Sequence, residues 1–271
     1  MLINTLAQTR EIHTEDQEIP AGDFSSWLEH ARTALITGSG TDVACGQCVG
    51  CCSSSYFIHI KPSESITLKR IGKDSLFPAP GMPAGHSVLG FDQNGLCPML
   101  KDKACSIYEH RPQTCRAYDC RIFAAAGILA GGKDKATINE RIRYWRFSYP
   151  SELDRAEHLA VRSAAKFIQE HASAFPGGRV PTDPSQLAIL AIKVYDVFIA
   201  REDETVAQGT SHSHAEIAKA IVTASKRFDE IISNQISVRA SSYPSGLTRR
   251  SSGTPQKRGA PQLCVSPQKR N

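Results

Sequence analysis

The sequence predicts a mainly α fold with a small β-hairpin, divided near residue 125. Three observations carry that prediction. Beyond residue 125, four segments repeat apolar residues at three- and four-residue intervals, the spacing of an amphipathic helix. Before it, eight of the nine cysteines (Cys45, Cys48, Cys51, Cys52, Cys97, Cys105, Cys115, Cys120) fall within 76 residues. In that same stretch Asn94-Gly95 stands between two short apolar runs, the strongest short-range hairpin pattern.

Residues 1–20 are polar and without period, and are expected to be disordered. In "AGDFSSWLEHARTALITG" the apolar residues Phe24, Trp27, Leu28, Ala31 and Leu35 predict a helix that Gly38 ends, leading directly into "CGQCVGCC". "YFIHI", aromatic and β-branched before Pro62, predicts a strand. "SESITLKRIG" predicts a short helix with Ser63 as N-cap and Gly72 as stop, and "LFPAPGMPAGH" an irregular loop. The four later helices are "TINERIRYWRF", a second starting at Ser151, a third at Asp183-Pro184 and a fourth at His212 or Ser213. From Val238 the chain is Ser, Pro, Gly, Gln and basic residues, with the near-repeats "TPQKR" and "SPQKR", which cannot bury a core. The expected organisation is thus a disordered 1–20, a cysteine module over 21–125, a helical region over 126–237 packed on it, and a basic tail over 238–271.

The net charge of +5 belongs to that tail. From residue 231 onward there are seven basic residues and no acidic ones, against 25 basic and 27 acidic in the rest. A nucleic-acid partner is therefore not expected of the folded part, and only the tail hints at one. No apolar run of about eighteen residues exists, and the N-terminus has neither the basic start nor the apolar stretch of a secretory signal. The expectation is a cytoplasmic protein with no membrane insertion. Cytosolic thiols stay reduced, so clustered cysteines there point to metal or redox chemistry before disulfides.

Spacing sharpens this. Cys45 with Cys48, and Cys48 with Cys51, form CxxC turns whose two sulfurs can converge on one ion. Cys51 and Cys52 are adjacent, and neighbouring side chains diverge, so one of them suits a second site or a polynuclear cluster. Cys97, Cys105, Cys115 and Cys120 complete eight thiols, enough for two four-sulfur sites or for one cluster with auxiliary ligands. Sulfur-only ligation selects zinc or iron–sulfur over magnesium or calcium. His59 and His110 could replace a thiolate, although eight thiols make that unnecessary. Arg111, Arg116 and Arg121 could offset thiolate charge or form ordinary ion pairs. "GILAGGKD" departs from a phosphate-binding loop where Asp134 stands in place of Ser or Thr, which leaves a glycine-rich turn. "RIRYWRFSY" could stack bases but reads better as an aromatic helix face packed on the core. Cys264, in the tail, is expected to be an exposed thiol. No catalytic constellation is recognisable.

"CGQCVGCC" followed by "CPMLKDKACSIYEHRPQTCRAYDC" resembles the YkgJ-type cysteine-cluster proteins, the CxxCxxCC family of zinc- or iron-chelating proteins. The resemblance spans roughly residues 42–125. It implies that the eight cysteines from Cys45 to Cys120 ligate metal or an iron–sulfur cluster. Many members carry a proline just after the tyrosine of the last motif, where this chain has Asp119-Cys120. The expected function is metal binding without a defined reaction, in a metal-organised module packed against a helical bundle. The alternative is an enzyme or electron carrier that uses the cluster on a protein substrate or partner, as flagellin lysine N-methylase relatives do.

Overall fold

The structure is a computed structural model in which residues 18–41, 43, 48–199 and 213–241 are described. The expectations for 1–17, for Cys45, for His212 and for the tail from residue 242, Cys264 included, fall outside those residues. Eight α-helices and three small sheets are present among the described residues. No helix among them is long and apolar enough to cross a membrane.

The first strand, β1 (Ile19–Asp23), begins inside the stretch 1–20 expected to be disordered and corrects that expectation for residues 19 and 20. Its partner corrects a second one. The helix expected over "TINERIRYWRF" stops as α5 (Ala136–Tyr144), and Trp145–Ser148 forms β7, parallel to β1 with Ile19 opposite Trp145. The cause lies in the side chains of "WRFS": Trp145 is buried, Arg146 exposed, Phe147 half-buried and Ser148 exposed, an alternation of period two. Helix α1 (Phe24–Thr37) follows β1 at once and ends where Gly38 turns left-handed, as expected.

After the cysteine loop, with a 3-10 turn at Cys51–Ser53, come β2 (Ile58–Ile60), α2 (Ser65–Ile71), β3 (Leu76–Pro78) and β4 (Ser87–Leu89). The N-cap of α2 is Glu64 in place of Ser63. Glu64 spans two segments, one carboxylate oxygen accepting from the Lys61 amide at 2.9 Å and the other from the Gln113 amide at 2.6 Å. The stretch expected to be irregular supplies β3, and the sheet order is β2-β4-β3.

Asn94-Gly95 does make a tight turn. The Asp92 carboxylate accepts from the Asn94 and Leu96 amides, and Gly95 takes the positive φ of 77° that the turn requires. Its flanks nevertheless do not pair with each other, because β4 is already hydrogen-bonded on both sides. The two-residue hairpin lies further on, between β5 (Leu100–Lys101) and β6 (Ala104–Cys105). Its corner residues Asp102 and Lys103 both have positive φ, as a type I′ turn demands.

The chain continues through α3 (Gln113–Ala117) and α4 (Arg121–Ala126) to α5 and β7, then α6 (Glu152–Glu170), α7 (Pro184–Val194) and α8 (His214–Ser241). The starts follow expectation. Ser151 and Asp154 cap α6 reciprocally, Asp183 accepts from the Gln186 amide before Pro184, and Ser213 with Glu216 caps α8. Two ends differ: α7 stops at Val194, and α8 runs on to Ser241, past the expected boundary at 237.

The core has two parts. The larger gathers α1, α4, α6, α7 and α8 around Phe24, Leu28, Phe123, Val161, Ile168, Ile192 and Ile221. The smaller holds Ile60, Ile71, Leu89 and Ile107 under the three-stranded sheet. Helix α1 thus packs with the C-terminal helices.

Within the larger core, His158 stacks on Phe24 at 4.3 Å, and its Nδ1 shares a hydrogen bond with the Tyr149 hydroxyl at 2.7 Å. Burial, then the Arg162 charge, pull His158 down to about 4, which the carbonyls of Ala124 and Ala125 only partly offset. The unfolded chain, titrating near 6.5, binds more protons than the native one, so this histidine makes stability fall as pH drops from about 6.5 to about 4. In His158→Phe the Tm should lose that slope; an equal slope in both proteins would exclude His158 as its source.

Candidate metal centre

Close packing fixes the described part of the first cysteine loop, from Cys48 to Ser54. A Cβ on Gly50 would lie 3.2 Å from the Ile138 backbone and 3.4 Å from Cys48 Sγ, so the loop runs in tight contact with α5 and that sulfur. The Gly50 amide donates to Cys48 Sγ at 3.4 Å, and the Ser54 hydroxyl donates back to the Gly50 carbonyl at 2.5 Å. Lys135, 5% exposed, donates its ammonium to the Ser54 carbonyl, pairs with Asp134 at 3.0 Å and lies 4.1 Å from the centre of the Tyr56 ring. The glycine-rich turn therefore presents a lysine to the cysteine loop, which is a packing role. No local spacing marks Lys135, because its partner lies 81 residues away.

The distant cysteines are brought in by backbone bonds. The Cys97 amide donates to the Cys52 carbonyl at 2.7 Å, which lays the second motif beside the first. Cys115 comes on α3, whose Thr114 hydroxyl donates to the His59 carbonyl at 2.6 Å. Thr41 and Arg116 close the other side, amide to carbonyl, at 2.9 Å.

Cys52 is linked to Cys97, Cys51 and Cys115, and Cys105 to Cys97. The Cys52 thiol donates to Cys97, which, with burial and the neighbouring charges of Cys97, Cys51 and Cys115, pushes Cys52 far up. The same bond, helped by the Met99 and Leu100 amides, holds Cys97 below the ordinary thiol range. The pair thus keeps one proton in common and yields one thiolate readily. Burial pushes Cys105 up, with the Cys97 charge adding to the rise and Arg111 opposing it. On the other side, burial and then the Cys51 charge push the Tyr118 hydroxyl well up; Cys120 acts on it in the same sense, and its oxygen lies 3.0 Å from that of Tyr56.

Cys48, Cys51, Cys52, Cys97, Cys105 and Cys115 are half-buried, Cys120 is buried, and none of the seven is in a disulfide. Cys51 packs on the larger core and Cys97 and Cys105 on the smaller. Among the described residues, no three His, Cys, Asp or Glu side chains already stand around a single point that an ion could occupy. The donor chemistry nevertheless fits a soft metal: all-sulfur, free of disulfides, and with Cys97 held below the ordinary thiol range by its bond to Cys52.

Residues 44–141 match the CxxCxxCC family model. Its description is "Putative zinc- or iron-chelating domain". Comparisons with curated proteins and with solved structures give no match. The CxxCxxCC segment extends further than the motifs indicate, into α5, and the packing accounts for that: Lys135 and Ile138 of the same stretch hold the cysteine loop.

Of the other candidates, His59 bonds to His86 at 2.7 Å, ring to ring. Arg111 covers the Tyr108 ring at 3.9 Å, Arg116 holds the Gln113 side chain, and Arg121 pairs with Asp119 at 2.8 Å. Arg111 acts electrostatically on Cys105, and Arg121 forms the ion pair that was the alternative expectation.

Proposed function

We propose that the CxxCxxCC segment holds an iron–sulfur cluster, or zinc, through the thiolates of Cys45, Cys48, Cys51, Cys52, Cys97, Cys105, Cys115 and Cys120, with the helices of 152–241 as the body against which that metal-organised module packs. The divergence of Cys51 and Cys52 carries this reading. One packs on the larger core within electrostatic reach of Tyr118, and the other bonds to Cys97. A single tetrahedral ion takes four ligands at about 2.3 Å, so two adjacent sulfurs that part in this way suit a cluster or a pair of ions better than one ion. The adjacent pair and the count of eight thiols place iron–sulfur ahead of zinc, with a pair of zinc ions as the alternative. A bound cluster would supply one-electron chemistry, and zinc would supply a cross-link between segments. The chain's own residues ready the site: the Cys52–Cys97 pair has a proton to release on binding, and the Gly50, Met99 and Leu100 amides stabilise negative sulfur.

Anaerobic purification with metal analysis and a visible spectrum tests this. The expected result is a brown protein with iron and sulfide in stoichiometric amount. A colourless protein with stoichiometric zinc would remove the iron–sulfur preference, and a protein that retains neither metal would remove the function.

A further inference from the structure

Trp145 donates its indole N–H to Cys120 Sγ at 3.2 Å, with the two residues 4% and 6% exposed. The chain has two tryptophans, and both direct this group into one short segment: Trp27 Nε1 donates to the neighbouring Asp119 carboxylate at 3.0 Å. Asp119 in turn holds Arg121, whose guanidinium also donates to the Ala21 carbonyl at 3.1 Å. Residues 119–121 are therefore clamped from β1, α1 and β7, all outside the segment that matches the family model.

A neutral thiol is a poor acceptor and needs no partner in an apolar core, whereas a sulfur carrying negative charge accepts strongly. A buried indole spent on Cys120 is wasted on the first and stabilising for the second. We propose that Trp145 is a positioning residue for the metal centre, orienting Cys120 Sγ as a ligand and withdrawing charge from it through the indole N–H. The inference rests on the reading that these cysteines bind metal. Outer hydrogen bonds of this kind are worth about 10- to 100-fold in metal affinity.

The test loads the full chain with Co2+ anaerobically and records the sulfur-to-cobalt charge-transfer band. Cys120→Ser should weaken the band, and Trp145→Phe should keep the cobalt stoichiometry while shifting the band and weakening cobalt binding about 10- to 100-fold. Ring-fluorinated tryptophan placed at position 145 alone, which keeps the indole shape and strengthens the N–H donor, should shift the band the opposite way, and it decides the matter if Trp145→Phe does not fold. An unshifted band in the fluorinated protein overturns the role of Trp145. A band unchanged in Cys120→Ser overturns it too, since Cys120 is then no ligand, while the metal reading stands on the wild-type band. A wild-type protein with no charge-transfer band removes both.

Discussion

Cys52→Ser is expected to empty the metal centre and to release the three-stranded sheet from the helices. The sulfurs stand between two cores: Cys51 and Cys120 pack with the larger, Cys97 and Cys105 on the smaller, and Cys52 bonds across to Cys97. The smaller core rests on four buried residues, Ile60, Ile71, Leu89 and Ile107, and a structural metal contributes on the order of 10 kcal/mol to the segments that it joins. Chelation, or Cys52→Ser, should therefore make amides of β2–β4 and β5–β6 exchange fast, while α6 and α7 keep their protection. Hydrogen exchange with and without chelator reads this directly, and equal protection of the sheet in both would show that the metal does not hold it.

The second large effect is expected at Asp119, which is 4% exposed and accepts from Trp27 Nε1, the Arg121 amide and the Arg121 guanidinium. Asp119→Ala takes the carboxylate from a half-buried guanidinium, which keeps the Ala21 carbonyl, and from the buried Trp27 indole N–H. Breaking a buried pair from one side costs about 3–5 kcal/mol, which at this size lowers Tm by roughly 10 °C. Asp119→Asn, which keeps an acceptor for Trp27 and loses only the charge, should fall between. Denaturant melts of the three proteins check this, and a loss below about 1 kcal/mol in Asp119→Ala would mean that water replaces the carboxylate there.

The two effects differ in how far they can be traced in the sequence. Cys52 is marked by its own spacing. Asp119 is one of 27 acidic residues until Trp27, 92 positions away, is found beside it.

The same division runs through the molecule. By itself the sequence determined what depends on neighbours along the chain: the caps at Ser151, Asp183 and Ser213, the stops at Gly38 and Gly72, and the cysteine motifs with their soft-metal chemistry. Such features close within three or four residues, so their partners are visible in a short window. Only the tertiary structure decided that Trp145–Ser148 leaves the helix to pair with Ile19–Asp23, that β4 joins β2 and β3 and not the strand beyond Asn94-Gly95, and that Lys135 and Trp145 serve the cysteine segment. The physical reason is common to these cases. A strand's backbone and a buried donor need a partner, and which partner they take is settled by the packing of two cores whose residues lie far apart in the chain.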